Sequence, residues 1–317
     1  MWIVLAFISA ICLGFYDVSK KIALRDNKVV DVLMLSTCIS SLILAIPLVL
    51  SRIHPEWMLG TPFYVPRLDL TAHLYTLLKS VIVLSSWVFA YISLKHLPIS
   101  VVSPVQATRP MWTLVGAMLI FGERLNTWQW IGVVMAIGTI FVFSFGATKK
   151  VRHTTLFHEH KYYYICLALA ILIGAASGLY DKYLMRRYDH NAVQVYYTLY
   201  QAVMMIAVWI IDRYAQRQKS KDKNASTDSI PSLFLTPYSL LPILLISIFL
   251  IISDNVYMLA LQDPDSMIAV VSTIRRGGTV IGFAYGLLYL KEHDPWRKII
   301  CMIGILAGLI CLAFGSI

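Results

Sequence analysis

The chain has 317 residues, 58% of them hydrophobic and 14% charged, with a formal net charge of +10. Its mean hydropathy is +0.70. Soluble domains carry about a quarter charged residues, so this composition excludes one, and the basic excess belongs to membrane-flanking loops instead of a nucleic-acid surface.

A membrane-crossing helix needs about 20 mostly apolar residues. Ten spans are predicted, at roughly 2–22, 30–51, 70–94, 98–121, 127–146, 162–184, 191–211, 238–261, 266–290 and 295–316. The first lacks a basic leader and a small-residue cleavage site, so it reads as a helix and not as a signal peptide. Between spans two and three, Pro55, Pro62 and Pro66 mark a segment lying along the interface. Residues 147–161 form a polar joint with Lys149, Lys150 and Arg152. Residues 212–232, with Arg213, Arg217, Lys219, Lys221 and Lys223, read as a solvated loop. The five cysteines (Cys12, Cys38, Cys166, Cys301, Cys311) all fall inside spans and read as structural thiols.

The sequence repeats itself. Tyr16-Asp17 returns as Tyr180-Asp181, and Tyr91, Ser100, Arg109, Thr113 and Gly116 return at one constant offset as Tyr257, Ser266, Arg275, Thr279 and Gly282. Trp128 returns as Trp296. Each copy (1–146 and 162–317) holds five spans, and an odd number turns the second copy upside down. The expected fold is all-α, ten transmembrane helices in two inverted five-helix repeats, an arrangement typical of secondary transporters.

The polar residues inside the spans are candidates for function. Gln106, Arg109, Thr113 and Gly116 share one helix face, and Ser272, Arg275, Thr279 and Gly282 repeat the spacing. Lys79, Arg109, Arg275 and Arg276 would together cost roughly 10 kcal/mol facing lipid, so they face a wet cavity or buried partners. Arginine's planar donor fork suits carboxylate and phosphate. The alternative is internal neutralisation, with Asp254 as one candidate partner for the arginines. Arg276 lies about 100° around the helix from Arg275, and Lys79 is within snorkelling reach of the interface. Pro104, Pro110 and the pair Gly277-Gly278 break their helices, either to free backbone groups for a solute or to pack closely. Tyr16, Asp17 and Lys20, with Tyr180 and Asp181, sit at equivalent helix tips, where they read as local ion pairs (Asp17 with Lys20 or Lys21, Asp181 with Lys182) or as a gate. Trp87, Tyr91, Trp112, Tyr196, Tyr197, Tyr200 and Tyr257 line a cavity or pack between helices. His158-Glu159-His160 lacks a third metal ligand, and no nucleotide-binding glycine loop or nucleophile elbow is present. No cofactor, metal or enzymatic activity is expected.

The order of Leu97-Pro98-Ile99-Ser100, Phe121-Gly122-Glu123-Arg124-Leu125, Trp128 and Gly132, with Ser272 to Arg276 and Lys291-Glu292 in the second copy, resembles the drug/metabolite transporter superfamily, in its ten-helix EamA-type branch. The resemblance covers the whole chain. It implies a central cavity between spans 1, 3, 4, 6, 8 and 9, alternating access, and structural roles for Glu123 and Glu292 in holding the 4–5 and 9–10 hairpins. It also implies cytoplasmic termini, whereas the excess of Lys and Arg in the odd loops places the termini outside. The leading expectation is a secondary transporter of a small organic anion or zwitterion in a bacterial cytoplasmic membrane. A flippase for a lipid or lipid-linked sugar, with a headgroup in the same basic cavity, is the alternative, and a non-transporting receptor or scaffold is a third. The partners are a small-molecule or lipid-headgroup substrate and the bilayer, with no nucleic acid and a homodimer left open.

Overall fold

The computed structural model describes residues 1–24, 27–96, 106, 108–148, 161–221, 240–288 and 295–316. These form helices and turns, with no strand among the described residues. The helices are α1 (Trp2–Ala23), α2 (Val29–Ile53), the short α3 (Pro55–Met58), α4 (Leu70–His96), α5 (Arg109–Phe121) and α6 (Thr127–Thr148) in the first half. The second half has α7 (Lys161–Met185), α8 (His190–Lys221), α9 (Leu240–Gln262), α10 (Ile268–Arg276), α11 (Thr279–Leu288) and α12 (Pro295–Phe314). Six helices (α1, α2, α4, α7, α8 and α9) are long and apolar enough to cross a membrane, and α5 and α12 add shorter apolar helices. The protein is an all-helical, multi-pass membrane protein.

Its outer surface shows what the helices were built to face. Val4, Ile8, Ile11 and Phe15 form an exposed stripe on α1, and Leu70, Leu74, Leu77, Leu78 and Val81 form another on α4. A stripe of this kind at helical spacing is a lipid face, because it would be insoluble in water. Small residues lie inward. Ala6, Ser9, Ala10 and Gly14 of α1 are all buried, which lets backbones approach closely where no hydrophobic drive exists between helices.

The helix pairing is unchanged when the halves are exchanged. α1 packs on α9 as α7 packs on α4, α2 packs on α8, and α6 packs on α12. α5 lies against α7, and α10 and α11 lie against α1. On the outer edge, α6 and α12 touch backbone to backbone. A methyl on Gly132 would sit 2.7 Å from the Gly308 carbonyl oxygen, and one on Gly308 would sit 2.7 Å from the Ala136 nitrogen.

One expectation changes here, and the break expected at Gly277-Gly278 takes a definite form. Residues 212–221 are not loop: α8 runs on to Lys221. Arg213 donates to both oxygens of Asp31 at 2.9 Å, and the Trp209 indole donates to Asp31 at 2.8 Å, which holds the extension against the start of α2. The ninth span is two helices, parted at Gly277-Gly278, where 3₁₀-type bonds replace the α-ladder. A methyl on Gly278 would come within 2.3 Å of the Ala10 carbonyl oxygen, so the break sits where the α1 backbone passes. The joint at 149–160, His158-Glu159-His160, Ser100, Pro104 and Glu292 lie outside the described residues.

Candidate functional site

Five cations and three carboxylates from both halves meet in one cluster. α1 contributes Asp17 and Lys20, α4 Lys79, α5 Arg109, α7 Asp181, α9 Asp254 and α10 Arg275 and Arg276. Tyr16, Tyr197 and Tyr257 lie among them.

Two of the carboxylates are engaged by cations. Asp254 accepts from Arg275. Arg275 also donates from Nε to the Ser9 hydroxyl at 3.0 Å and from Nη2 to the Ser253 hydroxyl at 3.2 Å, and its guanidinium lies 4.1 Å from the centre of the Tyr257 ring. Ser9 and Ser253 are themselves cross-linked, each donating to the other's carbonyl at 2.8 and 3.0 Å. Asp181 accepts from Lys79, whose ammonium lies 4.5 Å from the centre of the Tyr197 ring. Lys79 is therefore buried and paired, not snorkelling. Asp181 does not pair with its neighbour Lys182, because successive residues point to different sides of a helix.

The remaining cations are differently placed. Arg109 donates to the Gly174 carbonyl at 2.5 Å, and no described carboxylate lies within ion-pair distance of it. Gly174 makes the seat: a methyl there would fall 2.7 Å from the Arg109 Cζ. The Asp254 position of the second half corresponds at the repeat offset to Val88 in the first, so Arg109 lacks the acid that Arg275 has. Arg276 is within electrostatic reach of Asp17, Arg275 and Arg109. Lys20 lies over the Tyr16 ring, 5.6 Å from its centre, and also feels Asp17. Asp17 itself is exposed, although it lies on the inward face of α1 beside Gly14 and Ala10 and within reach of Arg276. Its repeat mate Asp181 is only 7% exposed.

The other sequence candidates stand apart from the cluster. Thr113 and Thr279 turn their hydroxyls back onto the carbonyls of Arg109 and Arg276, at 3.2 and 2.9 Å. Tyr180 donates to the Tyr75 carbonyl at 3.1 Å and stacks on Tyr183. Trp87 and Ser272 are half-buried, and Gln106 is exposed N-terminal to α5. Tyr91 is in α4, and its side chain falls outside the described set. Ser9, Ser253 and Gly174 were not singled out from the sequence. Gly174 carries a signal nonetheless, since it occupies the place of Ala10 in the repeat, on the face that meets the opposite half.

Beyond Asp181, at the C-terminal end of α7, the bundle is tied by buried polar contacts. Lys182 is fully buried and donates to the carbonyls of Leu261 at 3.0 Å and Asp263 at 3.2 Å and to the Ser266 hydroxyl. Glu123 does not brace the hairpin between α5 and α6. Its two carboxylate oxygens accept the N–H groups of Ile268 at 2.7 Å and Ala269 at 3.1 Å. These are orphan donors of the first turn of α10, whose N-cap Met267 makes no side-chain bond, so the carboxylate both satisfies them and meets the positive end of the helix. Glu123 lies in the turn after α5. Burial pushes its carboxyl above the usual carboxylate range, against the opposing pull of the two N–H groups, Lys182 and Arg186. Two concavities lie elsewhere. One of about 720 Å³ is lined by Arg186, Arg187, Tyr188 and Gln262 at the bundle end, and an apolar one of about 640 Å³ lies between α5 and α6 on the lipid face.

Residues 1–145 match the EamA-like transporter family. A curated relative, UDP-galactose transporter homolog 1 of Kluyveromyces lactis, is 25% identical over 73 residues, which is 23% of this chain and 22% of that protein. The match thus spans about a fifth of the relative's length. A known crystal structure superposes with a TM-score of 0.73 over 99% of this chain and 96% of that one at 12% identity, a likeness of fold. The described helices form a multi-pass membrane bundle.

Proposed function

We propose that the protein carries a small organic anion by alternating access between two inverted five-helix repeats, residues 1–146 and 162–317, joined by 147–161. The observation that carries this reading is the meeting of Arg109 from the first half with Arg275 and Arg276 from the second in one cluster, where Arg109 has no carboxylate partner among the described residues. Charges this deep are costly unless they serve a solute or a relay. The exchange-invariant helix pairing supports the inverted repeat. The contrast between exposed Asp17 and buried Asp181, with the polar ties around Lys182, supports a conformer closed at the C-terminal end of α7. The local likeness to a protein named as a UDP-galactose transporter homolog agrees with an anionic cargo.

The test is tracer exchange in proteoliposomes. Arg109→Ala and Arg275→Ala are expected to abolish exchange while the protein still elutes as a folded species. Normal exchange in both variants would refute the site.

A further inference from the structure

The concavity of about 720 Å³ at the bundle end shares no lining residue with the central charged cluster. Met185 to Asp189, leading from α7 into α8, form one wall, and Gln262 and Pro264, leading from α9 into α10, form the other. The walls are joined. The Gln262 side chain donates from Nε2 to the Tyr188 carbonyl at 3.4 Å, and its Oε1 lies 2.9 Å from the His190 Nδ1. Two cations are set on aromatic faces at this end. The Arg186 guanidinium lies 4.8 Å from the centre of the Phe121 ring, and that of Arg187 lies 4.3 Å from the centre of the Tyr183 ring. Both arginines are exposed, and among the described residues no carboxylate lies within ion-pair distance of either. Asp189, the one acid in the lining, is engaged by α8: its Oδ1 accepts the Ala192 N–H at 3.0 Å, and its Oδ2 lies 3.8 Å from the His190 Nδ1. The lining keeps a net single positive charge.

We infer that this concavity binds the headgroup of an anionic phospholipid, with its phosphate between Arg186 and Arg187. Depth favours a lipid. The apolar spans of α7 and α9 end at Met185 and Gln262, so the lining begins at headgroup level. Tyr75 lies beside it, its ring centre 6.1 Å from that of Tyr183 and 6.2 Å from that of Tyr188, and tyrosines gather in this way at a membrane interface. Apolar surface for the acyl tails flanks both sides. The exposed leucine stripe of α4 starts at the end where Tyr75 lies, and α5 presents Met118, Leu119 and Ile120 just before Phe121. The charge also fits. A phosphodiester headgroup carries one negative charge and offers oxygens that planar guanidinium forks can meet in pairs, whereas a choline headgroup brings its own cation. Because both turns build the walls, an occupant favours the conformer in which they meet. Neither arginine belongs to the proposed cargo site, so the lipid site stands whether or not the protein carries an anion.

Purified full-length protein in detergent micelles is titrated with dioleoyl-phosphatidylglycerol, dioleoyl-phosphatidylcholine and soluble glycerol phosphate, and bound molecules are counted by native mass spectrometry. Phosphatidylglycerol is expected to bind tightest and to raise the thermal unfolding midpoint. Arg186→Gln or Arg187→Gln is expected to weaken its binding about fivefold, and the double variant about thirtyfold. Arg124 is an exposed arginine just beyond Phe121 and outside the lining, and Arg124→Gln is expected to change the affinity by less than about twofold. Arg186→Lys with Arg187→Lys keeps the charge and loses the planar forks, so weaker binding is expected there as well. Equal weakening by Arg124→Gln overturns the inference in favour of diffuse surface attraction. Unchanged affinity in the double glutamine variant overturns it too or, should that variant not fold, unchanged affinity in the double lysine variant. Phosphatidylcholine binding as tightly as phosphatidylglycerol, or glycerol phosphate binding more tightly than the lipid, overturns the anionic lipid as occupant.

Discussion

Lys79 and Asp181 form the most enclosed ion pair described, with side chains 3% and 10% exposed. Lys79→Met leaves Asp181 without its cation, with Asp254 adding repulsion and Arg275 some relief. Removing one partner of a buried pair costs about 3–5 kcal/mol. Asp181→Leu strands the ammonium, but the Tyr197 face at 4.5 Å remains and offsets about 2 kcal/mol when desolvated, so a loss of about 1–3 kcal/mol is expected. Lys79→Met with Asp181→Leu removes both charges and their desolvation together, and the double variant is expected within about 1 kcal/mol of the parent, or above it. The two single losses far exceed the double, giving a coupling of about 3 kcal/mol or more. Unfolding midpoints in mixed detergent micelles across the four proteins measure it. Additive losses, or single variants each costing under about 1 kcal/mol, would refute the argument, because the pair would then be hydrated.

Two further outcomes follow from the contacts. Gly174→Ala pushes a methyl against the Arg109 guanidinium, which is the free end of a flexible chain, so stability is expected to change by less than about 1–3 kcal/mol while solute affinity falls by roughly tenfold or more, read by titration against the parent. For Glu123 the sign runs from its raised pKa: the folded state favours the protonated carboxyl, so this group's contribution is fully present below the ordinary glutamate range and is lost as pH rises through the higher folded value. The stability difference between the parent and Glu123→Gln is expected to move against the parent over that window and then level off, measured by thermal unfolding from acid to neutral pH.

The apolar helices were legible because lipid demands long apolar runs, and predicted 2–22 corresponds to Trp2–Ala23. The sequence reads as a repeat because arginine and tyrosine recur at one offset. What escaped was set by contacts between distant parts of the chain. Lys79 and Asp181 lie 102 residues apart, so local spacing offered Lys182 as the partner instead. Glu123 caps a helix begun 145 residues later, while sequence order suggested only its own hairpin. The tail of α8 was read as loop because hydropathy ends near residue 211, yet Arg, Lys and Gln are good helix formers and Asp31 anchors Arg213 there. Hydropathy reports where lipid stops, not where a helix does.

The seam between α6 and α12 has a mechanical meaning. With Gly132 and Gly308 bringing main chain onto main chain, neither helix has slack to slide without collision, and even a single added carbon would wedge them apart. The two halves are therefore bound along that edge like the boards of a book at its spine. On the proposed transport reading, any rocking that exposes the charged centre falls to the inner helices, away from this edge.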